Sequence, residues 1–100
     1  MLKADVYSFG VTLWEILSRK RPFDGMDHFE IQTAWLLNPE EMVLPPVKID
    51  SSLDSQGTRV MTTLADLSVQ CTQQSPQLRP TAAEIVARLK TAISGSDNAV

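Results

Sequence analysis

One histidine, one cysteine and an adjacent pair of glutamates are the side chains from which this sequence could most readily build chemistry. A general base must stand within hydrogen-bond reach of the proton it takes. His28 falls beside a helix start and reads as a solvated side chain. Cys71 falls in step with Val60, Leu64 and Leu67 at four-, three- and four-residue intervals, the apolar face of a helix. Burial there raises a thiol pKa, and no histidine is near in sequence to activate it, so Cys71 reads as packing. Glu40 and Glu41 lie in a presumed loop, where adjacency in sequence does not make a converging acid pair. The sequence has no glycine-rich phosphate loop and no His/Cys/Asp/Glu cluster at metal-ligand spacing. These residues therefore supply no catalytic, cofactor-binding or metal site.

Composition narrows the classes further. Over 100 residues, 43% hydrophobic and 21% charged positions describe a globular chain of one domain at most. A net charge of −3 leaves no basic excess to displace counterions from nucleic acid. The run Arg19-Lys20-Arg21 follows an apolar helix pattern, where cations complement the negative end of the helix dipole. A lone cysteine cannot form an intrachain disulfide, which favours a reducing compartment, and a cytoplasmic location is expected. No charged leader followed by an apolar stretch opens the chain, and no apolar run reaches the ~18 residues of a membrane span.

The elements that would position these residues are helices. In the stretch from Lys3 to Leu17, Val6, Phe9, Leu13 and Ile16 recur on one side, and Val11, Trp14 and Leu17 fill the other. This predicts a helix surrounded by protein. Gly10, costly in a helix interior by about 1 kcal/mol, predicts a close approach of another backbone. Arg21-Pro22-Phe23-Asp24-Gly25 then turns the chain. A second helix is expected from Asp27, capped by Asp27 and Glu30, with Ile31, Ala34 and Trp35 as its apolar face and Asn38-Pro39 as its stop. From Asn38 to about Gly57 the pattern is irregular, and Pro45-Pro46 stiffens an extended segment. A third helix carries the Val60, Leu64, Leu67, Cys71 stripe, widened by Met61 and Ala65 and closed by Ser75-Pro76. A fourth is capped by Thr81 and Glu84 and carries Ile85, Val86, Leu89 and Ile93. The expected architecture is all-α: four main helices and one long irregular loop over residues 1–93, then a disordered polar tail over 94–100.

Three stretches in this order, DVYSFGVTLWEIL at 5–17, RPFDG at 21–25 and CTQQSPQLRPTAAEIVARL at 71–89, resemble the C-terminal lobe of a eukaryotic protein kinase. The likeness runs from Lys3 to about Ala92, with a tyrosine-kinase-like serine/threonine flavour and tyrosine kinases close behind. By this resemblance Asp5 matches the acid that opens the lobe's central helix and accepts hydrogen bonds from the catalytic loop; a helix N-cap is its plainer role. Trp14 matches a large packing residue of that helix. Glu15 matches a position that faces the substrate peptide in some members, although a surface acid on a helix reads first as solvated. Arg79 matches the arginine that pairs, buried, with the glutamate closing the activation segment. No such glutamate precedes Asp5, which leaves either an unpaired guanidinium or a solvated one. Thr12 departs from the pattern, standing where an aliphatic residue is usual; its hydroxyl can bond back to the preceding turn.

The resemblance implies a complete parent that uses ATP and magnesium to phosphorylate serine, threonine or tyrosine on protein substrates. The segment expected to cover the first helix is the earlier part of a kinase domain, the chain's first expected partner. With it would lie the glycine-rich loop, the nucleotide-binding lysine and the catalytic and magnesium-binding aspartates, so the chain alone is expected to be inactive. The alternative is a non-catalytic helical module that docks on a kinase or another protein.

Overall fold

A computed structural model describes residues 2–21, 25–37 and 44–95, with the side chains of His28, Gln32 and Trp35 outside the described set. Pro22, Phe23, Asp24, the Asn38-Pro39 stop, the Glu40-Glu41 pair and the tail 96–100 also lie outside it. Among the described residues the chain forms helices α1 (Lys3–Ser18), α2 (His28–Leu37), α3 (Ser55–Cys71) and α4 (Ala82–Ser94), with a 3-10 turn at Pro76–Leu78, and no strand. The all-α expectation holds.

Local caps set most helix starts. Asp27 and Glu30 exchange bonds, Glu30 N to Asp27 Oδ1 at 2.8 Å and Asp27 N to Glu30 Oε1 at 3.3 Å. Thr81 and Glu84 do the same, Thr81 N to Glu84 Oε1 at 2.9 Å and Glu84 N to Thr81 Oγ1 at 3.1 Å. Both pairs satisfy amides that the first turn leaves without partners. The Glu84 carboxyl is held below the usual glutamate range by the Thr81 backbone N–H, with help from the Thr81 hydroxyl. The third helix starts earlier than its apolar stripe predicts, because Asp54 caps it: Asp54 Oδ1 accepts from Gly57 N at 2.7 Å. Ser94 is the last residue of α4, and Gly95, with φ +74°, ends it with its N–H on the Thr91 carbonyl.

The middle layer is α3. It packs on α1 through one face and on α4 through another, and α2 has no comparably extensive pairing among the described residues. Bonds from Gln56 to the Ile93 carbonyl and from Arg88 to Gln70 show that α3 and α4 run antiparallel. Val6 and Leu13 of α1, Leu67 and Cys71 of α3 and Ile85 of α4 form the core, with Leu17, Leu64 and Leu89 packed against it. Gly10 sits where α1 meets α3: a Cβ there would come within 2.7 Å of Cys71 Cβ, the close approach its place in a helix predicts.

Two expectations need correction. The first helix is not surrounded: Val6, Gly10, Leu13 and Trp14 are buried, but Phe9 is 37% and Ile16 67% exposed, because α3 covers one side only. On α4, Val86 and Ile93 are exposed, and Ala92 takes the buried place expected of them. Periodicity gives the direction of the stripe; the line of closest approach to α3 decides which residues fall inside it.

Candidate functional site

The functional side chains of α1, some singled out in the sequence and some not, gather at two places along it. Asp5, Tyr7 and Lys3 lie in its first turns, and Trp14 and Glu15 about 14 Å further on, at ~1.5 Å rise per residue.

At the first place the connection before α4 closes onto the start of α1. Arg79 donates from Nε to the Gln73 carbonyl at 2.6 Å, from Nη1 to the Lys3 carbonyl at 3.1 Å and from Nη2 to the Gln74 carbonyl at 3.2 Å. Its guanidinium carbon lies 4.9 Å from the centroid of the Tyr7 ring, a cation–π contact. Lys3 returns a bond from Nζ to the carbonyl of Arg79. The guanidinium is therefore neither unpaired nor simply solvated, as the missing glutamate suggested. Carbonyl oxygens just past the end of α3 supply the negative charge density that a carboxylate would otherwise provide. Asp5 is exposed at the third helical position, and its Oδ2 accepts from Leu2 N at 3.1 Å, so it caps the helix from inside and Leu2 is the N-cap residue.

At the second place Trp14, 5% exposed, donates from Nε1 to the Pro45 carbonyl at 2.7 Å. This bond fixes the extended segment around Pro45-Pro46 against α1. Beneath it lies a groove of about 480 Å³ whose walls include Trp14, Leu44, Val47, Val69, Thr72 and Leu78. Its lining is mostly apolar, and no acid or base lines it. Glu15 is half-buried beside Trp14, and Thr12 is exposed.

Cys71 is fully buried, and that burial pushes its thiol pKa up against the opposing pull of Arg88. Among the described residues no group of His, Cys, Asp and Glu could hold a metal ion. No described helix is long and apolar enough to cross a membrane.

The sequence reading missed Lys3 and Tyr7 as partners of Arg79, and Pro45 as the partner of Trp14. Their separations in sequence, 76 residues for Lys3 with Arg79 and 31 for Trp14 with Pro45, leave no local pattern to find. Asp54 did carry a signal, an acid three residues before the helical Gly57.

The family described as protein tyrosine and serine/threonine kinase matches residues 1–89. A probable serine/threonine-protein kinase, drkC of Dictyostelium discoideum, is 35% identical over 88 residues, covering 88% of this chain and 10% of the relative. A leucine-rich repeat receptor-like protein kinase of Arabidopsis thaliana is 34% identical over 100 residues, covering 88% of this chain and 9% of the relative. The serine/threonine-protein kinase mos of Patiria pectinifera is 32% identical over 96 residues, covering 96% and 24%. The chain thus spans between 9% and 24% of the length of these three relatives. No solved structure matches it significantly. With a match over most of its length, and with the order of α1, the Pro76–Leu78 turn and α4 that the motifs imply, the chain belongs to the protein tyrosine and serine/threonine kinase family.

Proposed function

We propose that this chain forms the last helices of a kinase catalytic domain, whose complete parent transfers phosphoryl from ATP, with magnesium, to serine or threonine, or else tyrosine, of protein substrates. By itself the chain binds no nucleotide and transfers no phosphoryl. In this reaction catalysis is almost entirely positioning and charge neutralisation. The groups described here are structural: Arg79 ties the start of α1 to the connection before α4, and Trp14 pins the segment around Pro45. The observation that carries the reading is the Arg79 cluster, which joins the start of α1 to the 71–89 stretch through the backbones of residues 3, 73 and 74 and meets the 5–17 stretch at the Tyr7 ring. Glu15, beside Trp14 on α1, is the residue here that would face a substrate peptide in the parent.

The test is transfer of labelled phosphate to a generic protein substrate, with ATP binding followed by calorimetry on the same preparation. Neither is expected; magnesium-dependent transfer that persists after rigorous removal of other kinases overturns the reading.

A second reading, a non-catalytic module that docks on a kinase or other protein in the cytoplasm, is favoured by one feature. Phe29, Leu36 and Leu37 of α2 are 75%, 84% and 70% exposed, an unusual concentration of large apolar side chains on ten residues.

A further inference from the structure

A second cleft, of about 350 Å³, opens between α3 and α4, where the end of the 71–89 stretch, at Ala87 and Arg88, meets residues outside the motifs. Arg59 and Thr63 line it from α3, and Arg88 and Thr91 from α4, with Ala87 and Ala92 between them. Two arginines and two threonines line it, and no carboxylate is among the lining residues, in a chain whose net charge is −3. Arg59 is set in place by two features. Its Nε donates to the Ala92 carbonyl at 3.0 Å, and Gly95 gives it room, since a Cβ there would meet Nη2 at 2.7 Å. That bond uses one of the five N–H donors of the side chain. Arg88 is held by Gln70, Nη1 to Oε1 at 2.7 Å, while its approach to Asp66, Nη2 to Oδ2, is a long 3.8 Å.

We propose that this cleft binds a phosphate group. One arginine fork matches a carboxylate or a phosphate alike, but two arginines and two threonine hydroxyls offer more donors than the two oxygens of a carboxylate, or a halide, can take up, and a phosphate has the further acceptor oxygens. The α4 carbonyls near Arg59 disfavour an anion, and the Arg59 Nε bond to one of them offsets that field locally. Asp66 is the competitor: it draws on Arg88 from outside the cleft, and removing its charge frees that arginine for the ligand. The recognition thus depends on Arg59 and Arg88 together, with Asp66 opposing.

The experiment is a titration of the full chain with inorganic phosphate and, separately, O-phosphoserine, at ionic strength held constant with chloride. Binding is read from the amide resonances of Thr63 and Thr91 and from the Arg59 Nε resonance. A saturable shift at these positions is expected. Arg88→Gln and Arg59→Lys should each weaken it roughly ten-fold or more, as loss of charge-assisted bonds implies. Asp66→Asn should strengthen it, and Arg19→Gln, at the end of α1, should leave it unchanged. Tighter binding of O-phosphoserine would identify the source as a phosphorylated side chain, and equal binding a free phosphate; each supports the site. Shifts that do not saturate, that persist in Arg88→Gln, or that weaken in Asp66→Asn overturn it. Arg88→Gln leaves the Arg59–Ala92 bond intact, so the outcome does not hang on whether Arg59→Lys folds.

Discussion

Replacing Gly10 by alanine adds one methyl group at the contact of α1 with α3, and the structure gives the size of the effect. The new Cβ would lie 2.7 Å from Cys71 Cβ, 2.8 Å from Thr72 Cγ2 and 3.3 Å from the Cys71 carbonyl carbon. Carbon atoms pack at about 3.5–4.0 Å, so the helices must part by about 1 Å or the neighbours must move. Neither neighbour yields easily. Cys71 Cβ is fixed to the α3 backbone and fully buried, and Thr72 is held by Oγ1 bonds to the Ser68 carbonyl at 2.7 Å and the Val69 carbonyl at 3.2 Å. Helix propensity favours alanine over glycine by about 1 kcal/mol, while overpacking a closed core costs about 1–3 kcal/mol. With unyielding neighbours the cost lies at the upper end, which leaves a net loss of about 2 kcal/mol. For a domain of this size that lowers the melting temperature by roughly 8–16 °C. Thermal and urea unfolding followed by circular dichroism measure it. In a Thr72→Ser background, which deletes Cγ2 but keeps the hydroxyl, the loss should shrink. A Gly10→Ala variant that melts at or above the unmodified chain would refute the packing of α1 on α3, since only the propensity gain would then be felt.

Two further substitutions test the two places along α1. Trp14→Phe keeps most of the buried ring but removes the bond to the Pro45 carbonyl, at a cost of about 1 kcal/mol; tryptic cleavage after the exposed Lys48 should accelerate, and an unchanged cleavage rate would mean that Trp14 does not hold this segment. Arg79→Lys keeps the charge but not the fork, and a point charge cannot serve carbonyls of residues 3, 73 and 74 together, so it should cost about 2 kcal/mol in the same unfolding assay; an unchanged melting temperature would show that the cluster contributes nothing to stability.

What the sequence made legible was what short-range chemistry decides. The pairs Asp27/Glu30 and Thr81/Glu84 place two helix starts because each partner lies three residues from the other, and both pairs form as reciprocal bonds. Leu67 and Cys71 are fully buried as their spacing predicts, and the cost of a helical glycine at Gly10 pointed to the contact found there. Less legible was anything set by an element's neighbour. Phe9 and Ile16 share the repeat of Val6 and Leu13, yet they differ in exposure because Val6 and Leu13 pack into the cluster with Leu67 and Cys71 of α3 and Phe9 and Ile16 do not. Ala92 outranks Val86 and Ile93 in burial for a related reason: a small side chain fits where two helices come closest, and a hydrophobic pattern ranks it below larger ones.

Arg79 is the instructive case, because its type and position were read from the motif while its partners could not be. A guanidinium without its carboxylate suggests a buried orphan charge, whose exposure by loss of a partner typically costs about 3–5 kcal/mol. The chain avoids that cost with its own backbone. The carbonyls of Gln73 and Gln74 lie just beyond α3, where a helix leaves acceptors without partners, and the carbonyl of Lys3 lies at the start of α1. Three fixed dipoles and the face of Tyr7 do for the cation what one carboxylate would do. The bond from Lys3 back to the Arg79 carbonyl makes the tie reciprocal, fastening two segments 76 residues apart. A glutamate brought to this arginine would therefore add to an arrangement already satisfied, and its gain in stability must be smaller than the cost of breaking a buried pair. The tie between the start of α1 and the connection before α4 is thus a property of these helices themselves, to which any ion pair in a larger kinase domain would be an addition.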